Sequence, residues 1–447
     1  MFVMGGPKEH LLKAIELQPD FTDARYQLAL VLEHEGDIPA AISQLETLLQ
    51  TDPGHADALK LLSRLEASHG AIGQAQSHLE SILENDPRNS DAHFQLAMTA
   101  LQANHPHDAI YHFEKTLQQD PDRLEAYFQL GLLHDAPEDF GKARSYFETT
   151  VDYEPTHVLG HYHLGLHLVH GKRYNHTGNL MQGGFEEEAR RAFEATIQLD
   201  SAHPGAHAEL GQIQAKTGEK EAAIQNLQKS LRLDPSRVDA WLALEELQPP
   251  SEALETIRGA VVEHPGHPTI HLRAAQLSQE AKDTERALHH FRQAIDVSLK
   301  RTKELKEMAS DLLGKNQFAK ARDAEAEVDQ FNRHRAEAHY QLSLYEQSQE
   351  EGEKARQHLD DGISANPNHP RILHSLAQIE AADDHAGLAI EYLRKSVEID
   401  IHNPAAHFLL GTLLEEKGDF EMSQNHYLIT LDLDPGHKEA KSRIIPK

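Results

Sequence analysis

Three histidines, His163, His167 and His170, are spaced four and three residues apart, so on a helix their imidazoles share one face beside His157 and His161. Imidazoles in that spacing can ligate Zn, Ni or Cu, and the chain carries 33 His. A His-based metal-binding protein is one reading of this. The duller one comes from register. Six His (His55, His157, His203, His267, His369, His437) fall at one fixed place in a 34-residue pattern, and six more (His93, His161, His207, His271, His339, His407) at another. A ring copied into the same packing slot explains these twelve without any ligand, so neither a metal site nor a cofactor is expected.

Other chemistry is scarce. There is no HExxH, no phosphate-binding loop, no dinucleotide glycine pattern and no nucleophile elbow, so no enzyme is expected. Without Cys there is no disulfide, thiolate ligand or cysteine nucleophile. The balance of 43 Lys+Arg against 72 Asp+Glu gives a net charge of −29, which repels nucleic-acid phosphate and anionic lipid. Partners are therefore expected to be proteins or peptides carrying basic residues, not nucleic acid. No run approaches the ~18 apolar residues of a membrane span, and the N-terminus lacks a signal-peptide pattern, so a cytoplasmic chain is expected. Residues 7–21 read as half a repeat, which leaves open an upstream segment, a periplasmic or secreted location, and end-to-end self-association.

The elements that carry these residues are helical hairpins. In 22–53, Tyr26, Leu28 and Leu32, then Ile42, Leu45, Leu48 and Leu49, follow a 3.6-residue period in two runs. Gly36-Asp37 divides them and Asp52-Pro53 closes the second, because a residue before proline is pushed out of helical geometry. A small eighth residue, Ala29, recurs as Ser63, Ala97, Gly131, Gly165, Gly211, Ala275, Ala309, Ser343, Ala377 and Gly411, and only Glu245 breaks the column. The twentieth, Ala41, recurs as Ala75, Ala109, Ala143 and onward to Ala389, with Ser423 last. Such small residues let helix axes approach to roughly 8–10 Å.

Three columns in phase over nearly the whole chain, with an apolar seventh residue (Leu28, Leu62, Leu96, Leu130), resemble the tetratricopeptide repeat family over about residues 7–445. The resemblance implies an all-α fold, a right-handed α-α superhelix (solenoid) of about twelve tandem helix-turn-helix repeats. One solenoid over 1–447 would comprise the half repeat 7–21, repeats 1–5 at 22–203 with a loop insertion at 172–184, and repeats 6–8 at 204–301 with repeat 7 shortened. Repeats 9–12 follow at 302–437, then a partial capping helix at 438–447. Within the insertion, Asn175-His176-Thr177 fits the glycosylation acceptor pattern, but a tolerated surface loop is the expectation. Residues 295–302 hold neither Pro nor Gly, which lets one helix run from repeat 8 into repeat 9, and Lys300, Arg301, Lys303 and Lys306 read as its solvated face.

In the family the inner wall is built by first helices. Carried over, position two gives Asp23, Asp57, Asp91 and Glu125; position five gives Tyr26, Lys60, Phe94, Phe128 and Tyr162; position six gives Gln27, Gln95 and Gln129; and position nine gives Leu30, Arg64, Met98 and Leu132. The resemblance implies a concave groove with an aromatic floor, a Gln ladder and an acidic edge, suited to an extended or helical peptide. The family's carboxylate clamp is not matched, since Arg64, Gln95 and Glu125 stand where Asn or basic groups are required. The function expected is a non-enzymatic scaffold that helps assemble a multiprotein complex. The alternative is a regulatory or substrate-recruiting arm of an enzyme, such as a glycosyltransferase, whose catalytic part is not on this chain.

Overall fold

Each 34-residue copy becomes a pair of antiparallel helices in the computed structural model, which describes residues 6–135, 139–171, 185–314 and 318–444. Among the described residues there are 24 helices and no strand, and the fold is an all-α repeat. The chain divides into two bodies, Met1–Ile213 and Gln214–Lys447. The insertion at 172–184, with Asn175, lies outside the described residues.

Repeat 1 shows how the sequence makes its hairpin. Thr22–His34 and Ile38–Thr51 are joined through Gly36, whose φ of +80° is open to glycine at little cost. The same place holds Gly70, Gly218 and Gly418 in other repeats. Four repeats force Asn104, Lys282, Glu350 and Asp384 into φ of +58° to +62°. The Cβ crowding there costs about 1–2 kcal/mol per residue, so packing on either side must hold the turn.

That packing centres on the two small columns. Ala29, Ala41, Ala97 and Ala109 are fully enclosed. A larger side chain from the second helix fills the room they leave: Leu45, Leu79, Phe113, Phe147, Phe193 and Leu227 are all wholly buried. Beside some of the ring fillers the eighth residue is glycine, whereas Phe113 and Phe291 are accommodated in copies that carry Ala97 and Ala275. A Cβ on Gly131 would stand 2.6 Å from the Phe147 ring, and one on Gly165 would stand 2.6 Å from Phe193.

In the first body, Leu11 and Ile15 of the N-terminal helix Pro7–Leu17 pack on the core of repeat 1. In the second body two features depart from a regular stack. Repeat 7 is short, as its early Pro249-Pro250 requires, with a first helix Val238–Leu247. Its column-breaking Glu245 is only 3% exposed and is gripped bidentately by Arg273 at 2.7 and 3.1 Å.

The larger departure is repeat 9. Two 31-residue helices, Thr284–Gly314 and Phe318–Ser348, run through both of its junctions. The first junction has no breaker, and neither has the second, Asn332-Arg333-His334-Arg335-Ala336. Nothing removes a backbone hydrogen bond or caps an end, so the helices continue. Repeat 9 is thereby drawn out of the stack as a hairpin with its own seam, in which Leu305 and Ala309 meet Ala324, Val328 and Phe331. Spacings alternating between three and four residues are those of a two-helix coiled coil. Repeat 10 then packs directly on repeat 8: Ala338 and Leu342 share a core with Leu272, Ala275, Ala287 and Phe291. The chain closes on Lys438–Arg443, seated through the fully buried Ala440.

Two outcomes follow from this packing. Deleting 302–335 should leave a chain that still melts cooperatively and keeps its helical circular dichroism, because repeats 8 and 10 are already neighbours. Loss of folding would show that the hairpin is integral to the stack. Arg273→Ala should cost about 3–5 kcal/mol in chemical denaturation by stranding the Glu245 carboxylate, whereas Glu245→Ala, which restores the small column, should cost far less.

Candidate functional site

The residues expected to face a partner lie on the first helices of repeats 1–5: Thr22–His34, Ala56–Ser68, Ser90–Gln102, Leu124–Leu133 and Val158–His170. Their positions five, six, nine and two behave differently.

The rings at position five are core. Phe94 is 8% exposed and Phe128 is 5% exposed. Phe94 stands edge-on to Phe113 at 5.7 Å, with the Arg123 guanidinium 4.3 Å from its centroid. Phe128 lies 5.0 Å from His157, 5.5 Å from His163 and 6.2 Å from Phe147. Tyr26 rests on His55 at 5.5 Å and Tyr162 on His203 at 4.4 Å, both half-buried. The aromatic floor is therefore covered, because the last residue of the same repeat folds back over the ring.

Positions six and nine stay accessible. Gln27 is exposed, and Gln95 and Gln129 are partly so. Gln129 donates to Glu125 at 2.7 Å. Leu30 and Met98 are partly exposed, and Leu132 is 36% exposed.

The charges at position two and their neighbours are largely spent on one another. Lys60 bridges Asp57 at 3.0 Å and Asp91 at 3.1 Å, Arg123 reaches Asp91 at 2.8 Å, and Arg64 reaches Glu33 at 2.7 Å. Burial pushes the Asp91 carboxyl up, but the hydrogen bonds from Lys60 and Arg123 outweigh it and hold the group below the ordinary carboxylate value. Partly exposed pairs of this kind contribute about 0–1 kcal/mol each; what they do is tie successive first helices together in register. Asp23, Asp57 and Glu125 remain exposed as the acidic edge.

The histidines have structural employment. At the end of the repeat, His55, His157, His203, His369 and His437 accept a hydrogen bond through Nδ1 from the backbone N–H three residues on, at 2.8–3.3 Å. Asn89 and Asn403 do the same with Oδ1 at the matching position. These side chains cap the next first helix, satisfying an amide that has no intrahelical partner. At position four, His93, His161, His207, His271 and His407 direct Nε2 at a loop carbonyl six residues back, at 2.9–3.3 Å. Trp241 donates Nε1–H to Pro235 in the same way. Packing alone does not explain either column, since five rings in each answer a backbone group; His267 makes no cap hydrogen bond, and His339 bonds His358.

Of the candidate metal trio, His167 is 3% exposed, with Nδ1 2.6 Å from Asp135 and Nε2 3.0 Å from the Phe140 carbonyl, so neither nitrogen is turned to a third ligand. Burial holds His163 below its ordinary value, and its ring packs on Phe128 and Phe147. The side chain of His170 lies outside the described residues. Among the described residues no three His, Asp or Glu converge as a ligand set. Two features went unread in the sequence: Arg123 as the lid on Phe94, and the His that face position four from the second helix. A spacing of 19 residues was the available signal for the latter.

Tetratricopeptide repeat family models match residues 8–65, 66–130 and 179–238. The chain is a tetratricopeptide-repeat protein. As such it is a protein-interaction scaffold. Solved structures similar to this tetratricopeptide-repeat protein include MamA, 21% identical over 39% of this chain and 95% of that one, with a TM-score of 0.33. YrrB, described as a TPR protein with an unusual peptide-binding site, is 18% identical over 44% and 96%, with a TM-score of 0.35. PilF of Pseudomonas aeruginosa is 17% identical over 54% and 99%, with a TM-score of 0.42. No curated protein matches the sequence. Among the described residues, no helix of the tetratricopeptide-repeat protein is long and apolar enough to cross a membrane.

The burial pattern separates folding from surface residues. Phe128→Ala should cost about 3–5 kcal/mol in urea denaturation, whereas Leu132→Asp on the same helix should stay within about 0.5 kcal/mol of the parent.

Proposed function

We propose that the protein holds protein or peptide partners along the first helices of repeats 1–5, with its anchoring side chains at positions six and nine. The observation that carries this reading is the contrast along one helix face: the rings at position five are enclosed, while Leu30, Met98 and Leu132 stay accessible beside Gln27, Gln95 and Gln129. Apolar contacts there would supply the anchor, Gln amides would pair with a partner's backbone, and Asp23, Asp57 and Glu125 would favour Lys or Arg at its edge. Cations already bound to carboxylates, Lys60, Arg64 and Arg123, order the helices instead of recruiting acidic groups. Holding several chains at once on such a surface suits assembly of a multiprotein complex.

The double variant Met98→Asp/Leu132→Asp tests this. Compared with the parent in pull-down from the native host, it should lose at least tenfold of the captured partner while its helical circular dichroism and a cooperative melt are retained, Met98 being partly packed on the repeat 3 core. Equal capture by both chains would overturn the assignment of positions six and nine.

A further inference from the structure

Four repeats place two imidazoles against each other inside the hairpin. His93 faces His112, His271 faces His290, His339 faces His358 and His407 faces His426, with Nδ1 to Nδ1 distances of 3.0, 3.2, 3.1 and 3.0 Å. Each pair joins position four of the first helix to position twenty-three of the second. The first partner is 3–7% exposed in all four.

Geometry assigns the protons. In repeats 3, 8 and 12 the position-four ring spends its Nε2–H on a backbone carbonyl, of Pro87, Pro265 or Ile401. Its Nδ1 is then a bare acceptor, so the second-helix ring must donate Nδ1–H and keep its lone pair on Nε2. One added proton fits on that Nε2, leaving the bridging hydrogen bond in place. A second proton does not fit. It would turn both Nδ1 atoms into donors facing each other at about 3 Å, two like charges in a half-buried slot.

Repeat 1 supplies a contrast within the same chain. Its slot holds Arg25, which donates to the Pro19 carbonyl and to Gln44 at position twenty-three. A permanent cation is tolerated there because its partner is a neutral amide that can accept. The slot as such admits positive charge; the His–His pairing is what limits it.

We propose that the four imidazole pairs form an acid-sensitive clamp, which holds the first helix on the second in repeats 3, 8, 10 and 12 while each pair has taken up no more than one proton beyond its neutral state, and releases them when a second is added. The surroundings support the direction. Burial, then the His93 ring, holds His112 below its ordinary value, with Asp108 opposing and Tyr111 edge-on at 5.0 Å. Burial also lowers His271, with its Pro265 hydrogen bond opposing and His289 adding. His290 is lowered to about 4 by burial, then by His271, His289, Arg286 and Arg258. His339 reaches about 4 through burial, His358 and Arg335, against Asp361. Its partner His358 is lowered by burial and Arg292, against Glu346 and Asp361. His407 is lowered by burial against its Ile401 hydrogen bond and Asp400, and His426 by burial, His407 and Arg394.

The sign follows. These groups bind protons less readily folded than unfolded, so their contribution is present above the ordinary His value of 6.5 and is lost as pH falls from there toward about 4. Each pair short of one proton changes its opening equilibrium by about tenfold per pH unit within that window.

The experiment replaces position twenty-three by the amide repeat 1 already uses there: His112→Gln, His290→Gln, His358→Gln and His426→Gln, singly and together. Urea midpoints are read from pH 7.5 to 4.5. The parent should lose stability steeply below pH 6.5, each single variant should remove about one tenfold step per pH unit, and the quadruple variant should be flatter still. Profiles parallel to the parent's would overturn the clamp. Nitrogen-15 NMR of the folded parent is a second, substitution-free reading. Position-four rings of repeats 3, 8 and 12 should be Nε2–H tautomers at pH 7.5, and titration of both rings of the pairs in repeats 8, 10 and 12 near 6.5 in the folded chain would equally overturn the proposal.

Discussion

Everything in this protein rests on how closely the two helices of a hairpin can approach. Ala or Gly at position eight and Ala at position twenty remove side-chain bulk at the crossing, and one large residue from position twenty-four fills the space from the second helix. In several copies these positions trade volume, although Phe113 and Phe291 are accommodated in copies with Ala97 and Ala275. Phe147, Phe193 and Tyr427 are accompanied by Gly131, Gly165 and Gly411, where a Cβ would stand 2.6 to 2.9 Å from the ring. Leu45 and Leu79 sit opposite Ala29 and Ser63. Close packing of this kind leaves no slack, which is why the columns keep phase across so many copies.

Once the crossing is set, polar groups are brought to fixed places at the edge of each hairpin, and this explains the histidine content better than any ligand does. A ring can accept through one nitrogen and donate through the other. The end-of-repeat His uses Nδ1 to cap the following helix, and the position-four His uses Nε2–H to hold the preceding loop carbonyl. Asn, Arg and Trp perform one or the other task at equivalent places. His is thus one solution among several to a backbone requirement that every repeat repeats. The choice matters because only His changes charge near neutral pH.

The hairpins were legible from residue types alone, since a 3.6-residue period, small columns and closing prolines are local signals. The drawn-out repeat 9 was legible in part: the missing breaker at Val297-Ser298 pointed to a continuous first helix, but the second junction near Arg335 passed unread. Its columns, Ala309 and Ala321, look like those of any other copy, because the seam of a two-helix coiled coil and the crossing of a stacked hairpin both need small side chains. The first helices expected to face a partner were legible as helices, but the depth of their rings was not. Phe94 and Phe128 share a face with Gln95 and Gln129, and sequence spacing does not show that Arg123 and His157 fold over the rings.

The sequence by itself determined the all-α hairpin repeat, its period and which face of each helix is apolar, because these depend on contacts within about one repeat's length. Tertiary structure decided which copies are neighbours, which rings are covered and which imidazoles meet. Those outcomes depend on contacts between residues far apart in the chain, such as Leu272 with Leu342, and on side chains such as Arg123 that choose one neighbour among several within reach.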